Sequence, residues 1–213
     1  TPFGGEATQG MERFPYNTLN AENPGISGFG DLYQNINQMN LFISRTLHTD
    51  VLTESARNYY LGQVYGLRAY YMYQLYRSWG DVVFTEEPSL GFEVGKLAKA
   101  ATPAAEIFEQ VKKDIESSLS YFGSDYTIKE KKSLWSKAAT LMLKADVYLW
   151  SAHRDGGEGD ARTAKNALVD IQNNISRSNL DLMDTYQGVF AYDNKGNKEI
   201  IFTIHNELFE YNL

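Results

Sequence analysis

The 213-residue sequence has no cysteine. That excludes disulfides, thiolate metal sites and a cysteine nucleophile, and leaves the compartment open, because many exported proteins also lack the residue. Histidine is scarce: His48, His153 and His205 lie far apart, at helix ends or in an extended segment, and none has a His-x-x-x-His spacing. Each reads as a structural or solvated side chain, and no zinc site is expected. No apolar run approaches the roughly 18 to 20 residues that span a bilayer, and no charged-then-apolar N-terminal stretch looks like a signal peptide. Basic charge is also short, with 20 Lys and Arg against 27 Asp and Glu for a net charge of -7. Phosphate binding needs a clustered basic surface that releases counterions. The one such cluster, Lys129 to Lys132, reads as a solvated loop before a helix, so nucleic acid is not expected as a partner.

Catalytic patterns are missing too. There is no Gly-x-Ser-x-Gly elbow, and the glycines at Gly25, Gly28 and Gly30 follow no strand and precede no Gly-Lys-Ser or Gly-Lys-Thr, so phosphate cradling is unsupported. Among 27 scattered acids, no pair presents itself as the general acid and nucleophile of a glycosidase. The loop Asp155-Gly156-Gly157-Glu158-Gly159-Asp160 gathers acids that suit a hard cation, but not in the EF-hand spacing. Its place between two helices gives a simpler account, with a glycine ending one helix and Asp160 capping the next. No enzyme, cofactor or metal is expected.

What is present is a helical pattern of ordinary composition, 43% hydrophobic and 22% charged, enough to bury a sizeable core. The most informative stretch is LGQVYGLRAYYMYQLYRSWGDVVF, from Leu61 to Phe84. Leu61, Val64, Arg68, Tyr71, Leu75 and Trp79 recur at steps of three and four and define one helix face. Gly66 and Ala69 permit a close helix approach, Gly80 supplies a left-handed stop, and Val82, Val83 and Phe84 suit an extended exit. Trp79 and Tyr71 are expected to be buried against the helix that begins at Leu134. An earlier helix, Asp31 to Leu47, places Leu32, Ile36, Met39, Ile43 and Leu47 together, with Asp31 as N-cap. After a loop from Phe84 to Ala101, Thr102 as N-cap and Pro103 at the first helical position open a third helix, striped by Ile107, Val111, Ile115, Leu119 and Phe122 and stopped by Gly123. A fourth, Leu134 to Ala152, turns Ala138, Met142, Ala145 and Leu149 inward. A fifth, Ala161 to Ile175, does the same with Ala164, Leu168, Ile171 and Ile175. Ile200 to Ile204 reads as a short strand or extended segment.

An Arg-Ala-Tyr-Tyr core (Arg68 to Tyr71) in a helix that stops at Gly80-Asp81 before an apolar pair resembles the SusD/RagB-like family of outer-membrane glycan-binding lipoproteins. Other segments resemble that family in the same order: Tyr33-x-x-Ile36-Asn37-x-x-Asn40, then Thr102 to Phe108 with Asp114-Ile115-Glu116. These are followed by Trp135 to Ala139 with Leu143 to Leu149, and by Asn197 to Phe202. The likeness runs from about Gly28 to Asn206. It implies an all-α fold of tetratricopeptide-like antiparallel helical hairpins with long loops and at most a short strand near the C-terminus. As one helical domain over 1–213, this divides into a loop (1–30), a long helix pair (31–80), helical hairpins (102–175) and an extended segment (199–205). It also implies an N-terminal portion of a longer protein, with a lipid anchor lying upstream. The implied function is non-catalytic capture of an oligosaccharide or polysaccharide at the external face of the outer membrane, for a TonB-dependent transporter of the SusC type. A tetratricopeptide-like protein-interaction scaffold is the alternative, and an α-helical glycoside hydrolase ranks behind both.

Aromatic residues make up 14% of the chain. Tyr59, Tyr60, Tyr65, Tyr70, Tyr71, Tyr73 and Tyr76 all sit on the long helix and are assigned to packing. Phe14, Tyr16 and Phe29 differ, because they stand in a Gly-, Asn- and Pro-rich stretch where no core position is forced. A sugar offers flat C–H faces and many hydroxyls, so its site needs aromatic platforms beside amide, carboxylate or guanidinium groups. The expected glycan contacts are therefore Arg13, Phe14, Tyr16, Asn17, Asn20 and Phe29, with the rings stacking and Arg13, Asn17 and Asn20 bonding hydroxyls. The competing role of these aromatics is to anchor the loop to the helices.

Overall fold

The computed structural model describes residue 20 and residues 28–91, 98–129 and 132–204. The chain divides into two compact units, Thr1–Asn35 and Ile36–Leu213. The first unit includes the start of α1 (Gly30–Thr46). In the second, α2 (Glu54–Trp79), α3 (Ala104–Phe122), α4 (Lys137–Ser151) and α5 (Gly157–Asn173) form tetratricopeptide-like hairpins, α2 packing mainly on α3 and α4 on α5. Among the described residues there is no strand; Ile200 to Ile204 is irregular, and an isolated bridge joins Val82 and Thr102.

That bridge organises the α2–α3 connection. Gly80 takes φ 75°, a conformation glycine adopts without a Cβ penalty, and its N–H returns to Tyr76 O at 3.0 Å. The chain then exits extended, and Val82 and Thr102 exchange two backbone hydrogen bonds, at 3.2 and 2.9 Å. Thr102 is thereby taken out of the capping position expected of it. Pro103 is the N-cap of α3 and uses no side-chain bond, while the Asp81 carboxylate accepts the first helical N–H, from Ala104, at 2.8 Å. The Trp-Gly-Asp stop of one helix thus caps the next and places an anion at its positive end.

The inward faces differ from the expected stripes. On α2 the buried set is wider, adding Gly62, Met72 and Tyr73 to Leu61, Arg68 and Leu75, whereas Val64, Tyr71 and Trp79 are only half-buried. Tyr71 and Trp79 are therefore not the buried pair expected. On α4, Ala138 and Ala145 are buried as expected, but Met142 and Leu149 are 42% and 52% exposed, and Leu141, Leu143 and Val147 are buried in their place. On α5 the inward residues are Ala164, Ala167 and Ile171, with Leu168 on the rim; the helix ends at Asn173, so Ile175 falls beyond it in a separate turn, Ile175–Ser178. The physical reason is the close α4–α5 approach: alanines occupy the contact line, and the larger side chains are displaced to its edges. A hydrophobic core cluster of Tyr126, Ala138, Leu141, Ala145, Ala164, Ala167, Ile171 and Leu180 follows from this.

Helix starts shift similarly. Asp31 lies within the first turn of α1 instead of capping it. α4 starts at Lys137, where Ser136 accepts the Ala139 N–H at 3.2 Å. The expected loop at Asp155 to Asp160 is a π-helical turn, Ala152–Gly156, running into α5, so Asp160 stands in the first turn of that helix and is not its cap. Lys132, expected in a solvated run, is buried with φ 69° and donates from Nζ to Asn197 O at 2.6 Å, while its own carbonyl accepts the Thr203 N–H at 3.0 Å. Burial pushes its amine below the ordinary lysine value.

Candidate functional site

The helices meet on two buried polar nodes. In the first, Arg68 of α2 gives Asp114 of α3 a bidentate pair, Nε and Nη2 each at 2.7 Å, and donates from Nη1 to Asn40 Oδ1 of α1 at 2.8 Å. Asn40 in turn donates to Thr85 O at 2.6 Å, and Gln110 donates to Asp114 at 2.9 Å and to Glu86 at 3.1 Å. Burial penalises Arg68, but the Asp114 hydrogen bonds and charge win and hold its guanidinium above the usual value. Burial pushes the Asp114 carboxyl up against those same bonds. At Glu86 the burial penalty is outweighed by Lys113, Arg68 and Gln110, so that carboxyl lies below its ordinary range. With all three guanidinium nitrogens matched, this node fastens three helices and a loop. It leaves no buried charge aimed at a ligand.

The second node lies where α4 crosses α2. Trp135 Nε1 donates to Thr140 Oγ1 at 2.8 Å, Ser118 and Thr140 hydroxyls are 2.9 Å apart, and Ser118 donates to Gly62 O at 2.6 Å. Gly66 permits it: a Cβ there would run into the Trp135 indole and lie 2.9 Å from Thr140 Oγ1. The Trp135 ring also meets Phe202 edge-on at 5.1 Å, which holds the segment after Asn197 against the helices.

Two of the concavities on the described part of the Ile36–Leu213 unit bear on function. One, of about 840 Å³, is apolar and is lined by Tyr70, Trp135, Met142, Leu149, Leu168 and the segment from Glu199 to Phe202. The other, of about 550 Å³, lies between the first turns of α2 and the end of α3, where tyrosines and polar side chains mix. Sequence reasoning assigned Tyr59 and Tyr60 to packing and passed over this cleft. The readable signal was an amide, Asn58, next to two rings at a helix start.

Of the expected glycan contacts, Arg13, Phe14, Tyr16 and Asn17 lie outside the described residues, as does His205. Asn20 is exposed, and Phe29 is 45% exposed, its ring edge-on to Tyr33 at 5.5 Å and 72°. Phe29 thus stands one turn ahead of its partner at the start of α1, accessible and braced. Among the described residues, no group of three or more His, Asp or Glu side chains is placed to hold a metal ion, and no helix is long and apolar enough to cross a membrane.

Hairpins of this kind, fastened by the Arg68 node, define a tetratricopeptide-like helical scaffold. Residues 14–149 match the SusD-like family model described as starch-binding, associating with the outer membrane, and the chain belongs to that family. Its fold is similar to that of B. fragilis NanU, with a TM-score of 0.86 and 52% identity over all of this chain and 41% of that one. A SusD superfamily protein of Bacteroides vulgatus matches with a TM-score of 0.84 and 48% identity, over 99% of this chain and 42% of that one. Among curated relatives, SusD-like protein P25 of Formosa agariphila is 26% identical over 82% of this chain. The chain spans 31% of that relative's length.

Proposed function

We propose that the protein captures an oligosaccharide or polysaccharide at the external face of the outer membrane, without catalysis, and delivers it to a TonB-dependent transporter of the SusC type. In this reading residues 1–213 form the N-terminal helical domain of a longer, lipid-anchored protein. The observation that carries it is the match of residues 14–149 to a starch-binding, outer-membrane-associated family, on a fold whose buried polar groups serve packing. The stretch before α1 supplies the contacts, with Tyr16 and Phe29 as platforms and Arg13, Phe14, Asn17 and Asn20 beside them.

The test is a glycan array on the full-length protein followed by calorimetry on Tyr16→Ala and Phe29→Ala. By analogy with base–aromatic stacking, each lost ring should cost roughly 1 to 3 kcal/mol, about ten- to a hundredfold in affinity. Unchanged affinity in both folded variants removes this stretch from the site. The apolar groove beside α4 favours a second reading, in which the same scaffold also receives an apolar segment of protein. A Leu149→Asp variant that leaves complex formation by the full-length protein intact would dispose of it.

A further inference from the structure

The open end of the α2–α3 hairpin is built differently from the apolar groove. Thr53 caps α2 by accepting the Ala56 N–H at 3.3 Å, and α3 ends at Gly123 with φ 51°, so the chain turns away on both sides. The cleft left between them, about 550 Å³, is within the size range of small-ligand sites. Tyr59, Tyr60 and Tyr121 line it together with Asn58, Asp125 and Lys129.

The rings are not equivalent. The Lys129 ammonium stands 3.8 Å over the Tyr59 ring and occupies that face. Tyr121 stacks on Tyr65 at 5.6 Å and 11°, which holds its plane and commits one of its faces. Tyr60 is 43% exposed and is braced edge-on by Phe42 at 6.3 Å. Two supported rings thus border one cleft, beside an amide, a carboxylate and an ammonium that together can donate to and accept from vicinal hydroxyls. An apolar peptide would offer the amide, carboxylate and ammonium no hydrogen-bond partner, whereas a pyranose matches the rings with its C–H faces and the polar groups with its hydroxyls.

We propose that this cleft is a saccharide subsite holding one sugar unit of a glycan chain, with Tyr60 and Tyr121 as platforms and Asn58, Asp125 and Lys129 as hydroxyl partners. It rests on the glycan-capture reading, and its lining comes from the Ile36–Leu213 unit alone. The experiment uses the full-length protein on an array of neutral and acidic oligosaccharides, then calorimetry with the tightest binder against Tyr60→Ala, Tyr121→Ala and the ring-preserving Tyr60→Phe. Tyr60→Ala and Tyr121→Ala should each lose at least tenfold in affinity or remove one class of sites, with Phe29→Ala as the independent comparison and Tyr60→Phe close to wild type. Tyr60 is exposed, so its truncation reads binding even if Tyr121→Ala fails to fold. Wild-type affinity and stoichiometry in Tyr60→Ala would overturn the subsite and leave glycan capture standing. Equal loss in Tyr60→Phe and Tyr60→Ala would overturn the stacking role, and a wild-type protein silent on the whole array would overturn both readings.

Discussion

Arg68 is 2% exposed on a helix otherwise rich in apolar and aromatic side chains, and its burial is tolerable because all three guanidinium nitrogens have acceptors. Removing either member of such a pair strands the other, so Arg68→Ala or Asp114→Ala should each cost about 3 to 5 kcal/mol. Arg68→Lys should also destabilise, because an ammonium cannot reproduce the fork. The double replacement Arg68→Met with Asp114→Leu should recover much of the loss, and urea midpoints of the four variants decide it. Additive losses would refute coupling. Glu86 belongs to the same cluster, and its folded value lies below its unfolded one. It therefore stabilises above the unfolded carboxylate range, and that contribution is lost as pH falls through the folded value. Glu86→Gln should flatten the acid limb of the stability profile slightly, since half of that side chain is in water. Both halves of the node were legible as sequence motifs, Arg68 to Tyr71 and Asp114 to Glu116. Their pairing was not, because nothing local connects positions 46 apart.

Helices show most directly where local chemistry decides structure and where packing overrides it. The stops at Gly80 and Gly123 were readable, because positive φ favours a residue without Cβ. Most of the α3 stripe was readable, because Ile107, Val111, Ile115 and Phe122 are both its large apolar residues and buried, while Leu119 is half-buried. The α4 and α5 stripes were misread for the opposite reason: backbone proximity there selects alanine, and periodicity cannot rank Ala167 above Leu168. Two glycines turn this contrast into a prediction of opposite signs. Gly66→Ala gains helix propensity but drives a methyl into Trp135, within 2.7 Å of Cδ1, and should destabilise by about 1 to 3 kcal/mol. Gly159→Ala, on α5 with open space around its Cβ position, should stabilise by about 0.5 to 1 kcal/mol. Thermal midpoints that move the same way in both variants would contradict the packing described at the α2–α4 crossing.

At the scale of the whole molecule, the hydrophobic surface is unevenly distributed. Leu149 and Met142 are 52% and 42% exposed, and both border the groove that Trp135, Leu168 and Phe202 also line. Isolated apolar residues on a surface mean little, but a contiguous patch marks a contact site or an aggregation hazard. This exposure was not legible in the sequence, since the side chains were read as inward and a misassigned stripe hides its own exposure. Their position predicts two separable outcomes for the 213-residue chain. The native protein should enhance the fluorescence of a hydrophobic dye such as ANS, and Met142→Asp with Leu149→Asp should reduce that enhancement strongly. The same pair should change stability by no more than about 0.5 kcal/mol per site, as expected for exposed positions outside the core. Dye titration and thermal melting on the same samples measure both. A lowered midpoint would mean that the two side chains are core residues after all, and undiminished dye binding would place the apolar surface elsewhere on the molecule.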